Sequence, residues 1–170
     1  MKRVLIALAA LAVLLVAVPA FAGGQSDLAK ARRATAHFHQ VDKAEAAGYG
    51  STLQDLGCFE NPGVGGMGLH YLNGDYLMDG VPNAVQPEAL VYEMRENGQL
   101  KLVAVEYIVP TDLWTGIRPP SLYGREFHRH PVLPLWVLHA WIWQPNPLGM
   151  FEDWNPNVAM CPEGVPVFGS

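Results

Sequence analysis

Three polar side chains sit in stretches whose pattern otherwise calls for apolar residues, and their types suit metal-ion or proton chemistry. His70 lies in GMGLHYL (66–72), Glu106 in LVAVEYIVP (102–110) and His139 in LHAWIW (138–143). Each is the polar exception in a β-rich run. Glu106 has no other charged residue within four positions on either side. A lone carboxylate taken out of water needs a cation, a hydrogen-bond donor or a proton. Two imidazoles and one carboxylate on three strands would form a two-His, one-carboxylate set with open positions, which suits Zn, Fe or Cu. His128 or His39 could add a fourth ligand. In an enzyme, His139 or His70 would act as metal ligand or general base, and Glu106 as ligand or proton acceptor.

Simpler readings stand beside these. Glu106 could occupy a strand edge with its carboxylate in solvent, or pair with Lys101 or an arginine. His139 could be a core histidine with its hydrogen bonds satisfied. His37 and His39, two residues apart on a helix, point about 200° apart, so one face cannot present both. His128-Arg129-His130 is an H-x-H, as in cupin metal sites, but Pro131 to Pro134 follow where a cupin needs a glutamate. There is no H-E-x-x-H, nucleophile elbow or phosphate-binding loop. Asn73-Gly74-Asp75 with Asp79-Gly80 misses the EF-hand spacing.

The elements that would position these groups read as follows. Residues 26–47 have an apolar stripe of Leu28, Ala31, Ala34, Phe38 and Val41, followed by Gly48, and predict one amphipathic helix. The glycine-rich turn 63–68 leaves little bulk around His70, so a ligand could approach the backbone closely. EALVYEM (88–94) and LKLVAVEYIVP (100–110) predict a hairpin whose Asn97-Gly98 suits a type I′ turn. LWVLHAWIW (135–143) predicts a strand apolar on both faces, with His139, Trp141 and Trp143 on one side. Strands apolar on both faces need cover on both. The expectation is one α+β domain, with the N-terminal helix packed on a curved antiparallel sheet of four or five strands. Trp141, Trp143, Tyr107 and Phe127 are the aromatic walls expected around the polar groups, in the manner of ligand pockets.

Residues 1–22 have Lys2 and Arg3, an unbroken apolar run and Ala20-Phe21-Ala22, the parts of a secretory signal peptide. Residues 23–170 then form the single domain expected to be secreted or periplasmic, with no membrane association after cleavage. The formal charge of −5 becomes more negative once the two leading basic residues are removed. That argues against nucleic acid and anionic lipid as partners, and for a small molecule or metal ion. Two cysteines in an exported chain, Cys58 and Cys161, without a C-x-x-C or a neighbouring histidine, predict one disulfide.

The runs AEAAGYG (44–50), GGMGLHYL (65–72), PEALVYE (87–93), LVAVEYIVP (102–110), FH (127–128) and LHAWIWQPNPLGMFEDWNP (138–156) resemble a family of uncharacterised exported bacterial proteins. The likeness spans nearly all of residues 23–170 and implies a single exported domain, with His70, Glu106, His128 and His139 among the family motifs. It implies no activity. The expected function is therefore small-ligand or metal binding at a His/Glu-lined, aromatic-walled pocket. The competing expectation is a non-catalytic envelope or structural protein, possible as a homo-oligomer, with Phe151 and Trp154 exposed on a packing surface.

Overall fold

The computed structural model describes residues 22–50, 57–163 and 167–168, so nearly all of the expected leader lies outside the described residues. A helical N-terminal segment lies on a strongly curled, mainly antiparallel sheet, the α+β arrangement expected. Among the described residues no helix is long and apolar enough to cross a membrane.

The expected single helix is three pieces: α1 (Ala22–Thr35), a 3-10 turn (Ala36–His39) and α2 (Val41–Ala46). Leu28, Ala31, Phe38 and Ala44 are buried, so the apolar stripe packs as expected. The break has tertiary causes. The Thr35 hydroxyl donates to the Ala31 carbonyl at 2.8 Å, a back-bond that bends helices. The Phe38 carbonyl accepts from the Tyr92 hydroxyl at 2.6 Å instead of continuing a helical ladder, and Gln40 is extended. Gly48, at φ +89°, closes α2 in a Schellman arrangement, with Tyr49 N donating to Ala44 O and Gly48 N to Glu45 O.

Seven strands form the main sheet: β1 (Cys58–Asn61), β2 (Gly65–Leu72), β3 (Ala89–Met94), β4 (Leu100–Pro110), then β7 (His128–Arg129), β8 (Leu135–Ala140) and β9 (Val167–Phe168). Their spatial order is β7-β8-β4-β3-β2-β1-β9, and among the described residues only the β1–β9 pair is parallel. The count exceeds the expected four or five because β7 and β9, two residues each, extend the edges. After β2 the chain forms a one-turn helix, α3 (Gly74–Leu77), and β5 (Ser121–Leu122) with β6 (Arg125–Glu126) form a separate hairpin.

The β3–β4 hairpin is where the sequence places it, but its turn differs. Gly98 has φ +76° whereas Asn97 does not have positive φ; Gly98 N donates to Arg95 O and Arg95 N to Gln99 O. This is a three-residue loop with glycine in the left-handed position, not a type I′ pair. The type I′ pattern occurs at Tyr123-Gly124, with φ of +56° and +73° between β5 and β6.

Cross-strand register divides the sheet into two faces. Leu90, Tyr92, Leu102, Val105, Tyr107, Val109 and Leu138 share the face under the helices and, with Leu28 and Phe38, form the main core. Burying each such side chain stabilises the fold by roughly 1.5–3 kcal/mol. His70, Val91, Ala104, Ala89, Glu106, Ile108, Val137 and His139 share the other face. The C-terminal segment covers part of that second face. It is tied down by the Cys58–Cys161 disulfide, by Ala159 N donating to Glu93 Oε1 and by Cys161 N donating to Glu60 Oε2.

This crossing explains the glycine-rich start of β2. A Cβ at Gly65 would lie 2.5 Å from the Asn155 carbonyl carbon, and one at Gly66 would lie 2.5 Å from Ala159 O. What approaches the backbone there is the chain's own C-terminal segment, not a ligand.

Candidate functional site

The three polar exceptions do converge. Glu106 on β4 stands directly opposite His139 on β8 in register. On its other side Glu106 pairs with Ala89 on β3, and His70 on β2 lies diagonally beyond. Residues two strands apart are separated by roughly 9.5 Å, so a side chain between them decides whether they meet. The Ala89 methyl leaves room, and His70 Nε2 reaches Glu106 Oε2 at 3.2 Å. The His70 and His139 ring centres are 5.9 Å apart. Phe59 packs edge-on against His70 at 4.8 Å, and Trp141 lies 4.5 Å from His139. The row is therefore Phe59, His70, Glu106, His139 and Trp141, closed at both ends by aromatic rings.

All three polar groups are buried, with His139 only 1% exposed. Among the described residues, His70 Nδ1 and both His139 ring nitrogens have no hydrogen-bond partner. An unsatisfied buried polar atom costs about 1–3 kcal/mol, and buried polar groups in folded proteins are rarely left so. Burial pushes the Glu106 pKa up, but the hydrogen bond and charge of His70 outweigh it and hold the carboxyl below its ordinary value. Burial pushes His139 down to about 4, against the pull of Glu106, so its ring is neutral at physiological pH. The carboxylate accepts and cannot donate, so the 3.2 Å contact places a proton on His70 Nε2.

His128 is on the same face but not in the row. It sits on β7 opposite Val137, about half exposed, and its Nε2 lies 3.1 Å from Asp153 Oδ2. That hydrogen bond is the main cause of its raised pKa. Burial pushes Asp153 up, and the His128 hydrogen bond and charge more than offset it, leaving the carboxyl below its ordinary value. The expected four-ligand set of His70, Glu106, His139 and His128 is not assembled: Glu106 is engaged by His70 and His128 by Asp153. Among the described residues no three His, Cys, Asp or Glu side chains are grouped so as to hold a metal ion.

Of the four expected aromatic walls, only Trp141 belongs to the row. Tyr107 and Phe127 are buried in the core under the helices. Trp143 is also on that side, its Nε1 donating to Thr35 Oγ1 at 3.2 Å and its ring against His39. The reason is local. The strand stops at Ala140, because Val103 is an extra residue in the β3–β4 ladder and its carbonyl accepts from Trp143 N and Gln144 N. Alternation ends there, so Trp143 does not share the face of His139.

The remaining histidine pattern resolves structurally. His130 Nδ1 accepts from Val132 N and Leu133 N, which makes it a turn cap and not half of a metal-binding H-x-H. The Asn73 and Asp79 side chains accept backbone N–H groups of Asp75, Tyr76 and Val81, the work of turns and not of a Ca²⁺ loop.

Three features escaped the sequence reading. Glu88, 1% exposed and just before the first residue of β3, accepts from Ile108 N of β4 at 2.9 Å. Burial raises its pKa to about 8. Its position between Pro87 and an apolar strand was a usable signal. Asp153, the partner of His128, is one of two adjacent acids in a loop, and nothing in the sequence links it to His128. The third is a cleft of about 500 Å³ beside His128, lined by Leu28, Tyr123, Arg125, Phe151 and Glu152. Tyr123 holds its left-handed conformation there, at a cost on the order of 1 kcal/mol. Its hydroxyl pairs with that of Tyr107 at 2.5 Å and its ring stacks on Phe151. Phe151 and Trp154 are half-buried, so they do not form the exposed packing surface considered above.

Comparison with known proteins gives no match: no family model, no curated protein and no solved structure is significantly similar to this chain.

Proposed function

We propose that the protein is an exported binding domain that takes a metal ion or small ligand at the His70–Glu106–His139 row. One observation carries the reading: three imidazole nitrogens are buried without partners among the described residues, beside a buried carboxylate. A purely structural role would be served better by apolar side chains of similar volume, which carry no desolvation cost. The near-complete enclosure of the row favours an occupant of one or a few atoms. Export is supported by the leader pattern and by the Cys58–Cys161 disulfide, since such bonds persist in oxidising compartments.

Native mass spectrometry of the chain recovered from an exporting host tests both parts. The expected polypeptide begins at Gly23 and carries an added mass that is lost on denaturation and is absent from a His70→Leu/His139→Leu variant. A bare chain, or an adduct that survives both substitutions, contradicts binding at the row.

A further inference from the structure

We infer that the cleft beside His128 is a second binding site, separate from the row, for the zwitterion of an apolar α-amino acid. Arg125 takes the carboxylate, Glu152 the ammonium, and Tyr123 and Phe151 the side chain. This goes beyond the binding reading above and does not depend on it.

The charges in the cleft point to its ligand. Four ionisable residues line it: Arg125, Glu126, His128 and Glu152. Two of them are already paired. Glu126 Oε1 accepts from Arg118 Nη2 at 2.8 Å, and His128 Nε2 lies 3.1 Å from Asp153 Oδ2. Among the described residues Arg125 and Glu152 form no ion pair, with each other or with any neighbour. The charges left over are therefore one cation and one anion in a single cleft. A simple anion would meet Glu152 as a like charge, and a simple cation would meet Arg125. A ligand that carries one charge of each sign satisfies both.

Both free charges are held beside the same aromatic ring. The Arg125 guanidinium lies 5.7 Å from the centre of the Phe151 ring, and Glu152 is the next residue in the chain. Contact with a ring face leaves the N–H groups at the guanidinium edge free to grip a carboxylate as a fork. The Glu152 side chain lies over Gly149, where a Cβ would come 3.0 Å from Glu152 Cγ. The Trp141 indole donates to the Glu152 carbonyl and fixes its backbone. The apolar wall is rigid as well. Tyr123 stacks on Phe151 with ring centres 5.8 Å apart, and its hydroxyl is tied to that of Tyr107. Tyr123 keeps a left-handed backbone at this wall, and strain of that kind collects at ligand sites. A cleft of about 500 Å³ with an apolar wall and a few polar groups has the size and make-up of a small-ligand site.

The test titrates the exported chain with L-phenylalanine and follows backbone amide shifts by NMR. The amides of Tyr123, Gly124, Gly149 and Phe151 are expected to move together and to saturate. L-Phenylalaninamide lacks the carboxylate and N-acetyl-L-phenylalanine lacks the ammonium. Each is expected to bind about 10-fold or more weakly, the loss that follows when a hydrogen bond between charged groups is removed. Arg125→Gln is expected to bring phenylalanine down to the level of its amide, and Glu152→Gln to that of its N-acetyl form. Arg129→Gln, whose guanidinium lies over Trp136 outside the cleft, is expected to bind as the parent does, and so is the His70→Leu/His139→Leu variant. Arg125 and Glu152 are both exposed, so their substitution leaves the core intact, and circular dichroism checks that each variant folds.

The inference is overturned if phenylalanine gives no saturating shift, or if its amide and N-acetyl forms bind as well as it does. It is equally overturned if neither Arg125→Gln nor Glu152→Gln changes the ranking of the three probes. Binding that is lost in the His70→Leu/His139→Leu variant but kept in both cleft variants places the amino acid at the row. That result removes the second site and leaves the binding reading standing.

Discussion

The two faces of the sheet treat their buried polar atoms differently. Under the helices, Tyr92 donates to Phe38 O, Tyr107 to Ala84 O, Tyr49 to Pro87 O and the Trp143 indole to Thr35. On the opposite face His70 Nδ1 and both His139 nitrogens have no partner among the described residues, although these residues are as deeply buried. The first face uses polar tips to fix the fit of helix on sheet. The second holds polar groups in a form that serves folding poorly, and a site poised for a ligand is the physical account of that difference.

The largest effect is expected from Cys58→Ser with Cys161→Ser, which frees the C-terminal cover of the polar face. Stability in chemical denaturation should fall by about 2–5 kcal/mol. Amide exchange should rise in β1 and β2 before it rises in α1. Equal loss of protection under the helices would show that the faces are not separable.

Ala89→Leu is next. It places bulk between His70 and Glu106, and an overpacked core residue costs about 1–3 kcal/mol. Binding at the row should be lost as well; retained binding would mean that the His70–Glu106 contact has no role in it. Tyr92→Phe probes the satisfied face. It leaves the Phe38 carbonyl without its donor and should cost about 1–2 kcal/mol while binding at the row stays unchanged.

The smallest effect concerns the His128–Asp153 pair at the rim, where both side chains are more than one-third exposed. His128 has a raised pKa, so its contribution is present below its ordinary 6.5 and fades as pH rises through the raised value. Asp153 has a lowered pKa, so its contribution is present above its ordinary 3.8 and fades as pH falls through the lowered value. Stability from the pair is therefore greatest between those two ordinary values and amounts to less than about 1 kcal/mol. Asp153→Asn should flatten this part of the pH profile; an unchanged profile would remove the pair from the account.

Much of the polar face was legible because a single rule exposed it. Charged or imidazole side chains in apolar strand runs must be paired, and His70, Glu106 and His139 were the three exceptions on three strands. The hairpin of β3 and β4, strand β8 and the disulfide followed from alternation, turn residues and the compartment implied by the leader. The aromatic walls failed for a reason that periodicity cannot carry: one extra residue at Val103 ends the ladder at Ala140 and sends Trp143 to the helix side. The helix breaks because the Phe38 carbonyl and Thr35 hydroxyl have partners far away in sequence. Glu106 changed role, from ligand to partner of His70, because Ala89 lets the imidazole cross a strand, and the size of that neighbour matters only once the register is known.

Equilibrium denaturation of the ligand-free chain, parent against His139→Leu, separates an imidazole held for a ligand from one that supports the fold. If His139 is held for a ligand, removing its two unpartnered nitrogens leaves the fold at least as stable as the parent while binding at the row is lost. A loss of more than about 2 kcal/mol with ligand absent would show that the imidazole supports the fold, and would contradict the account.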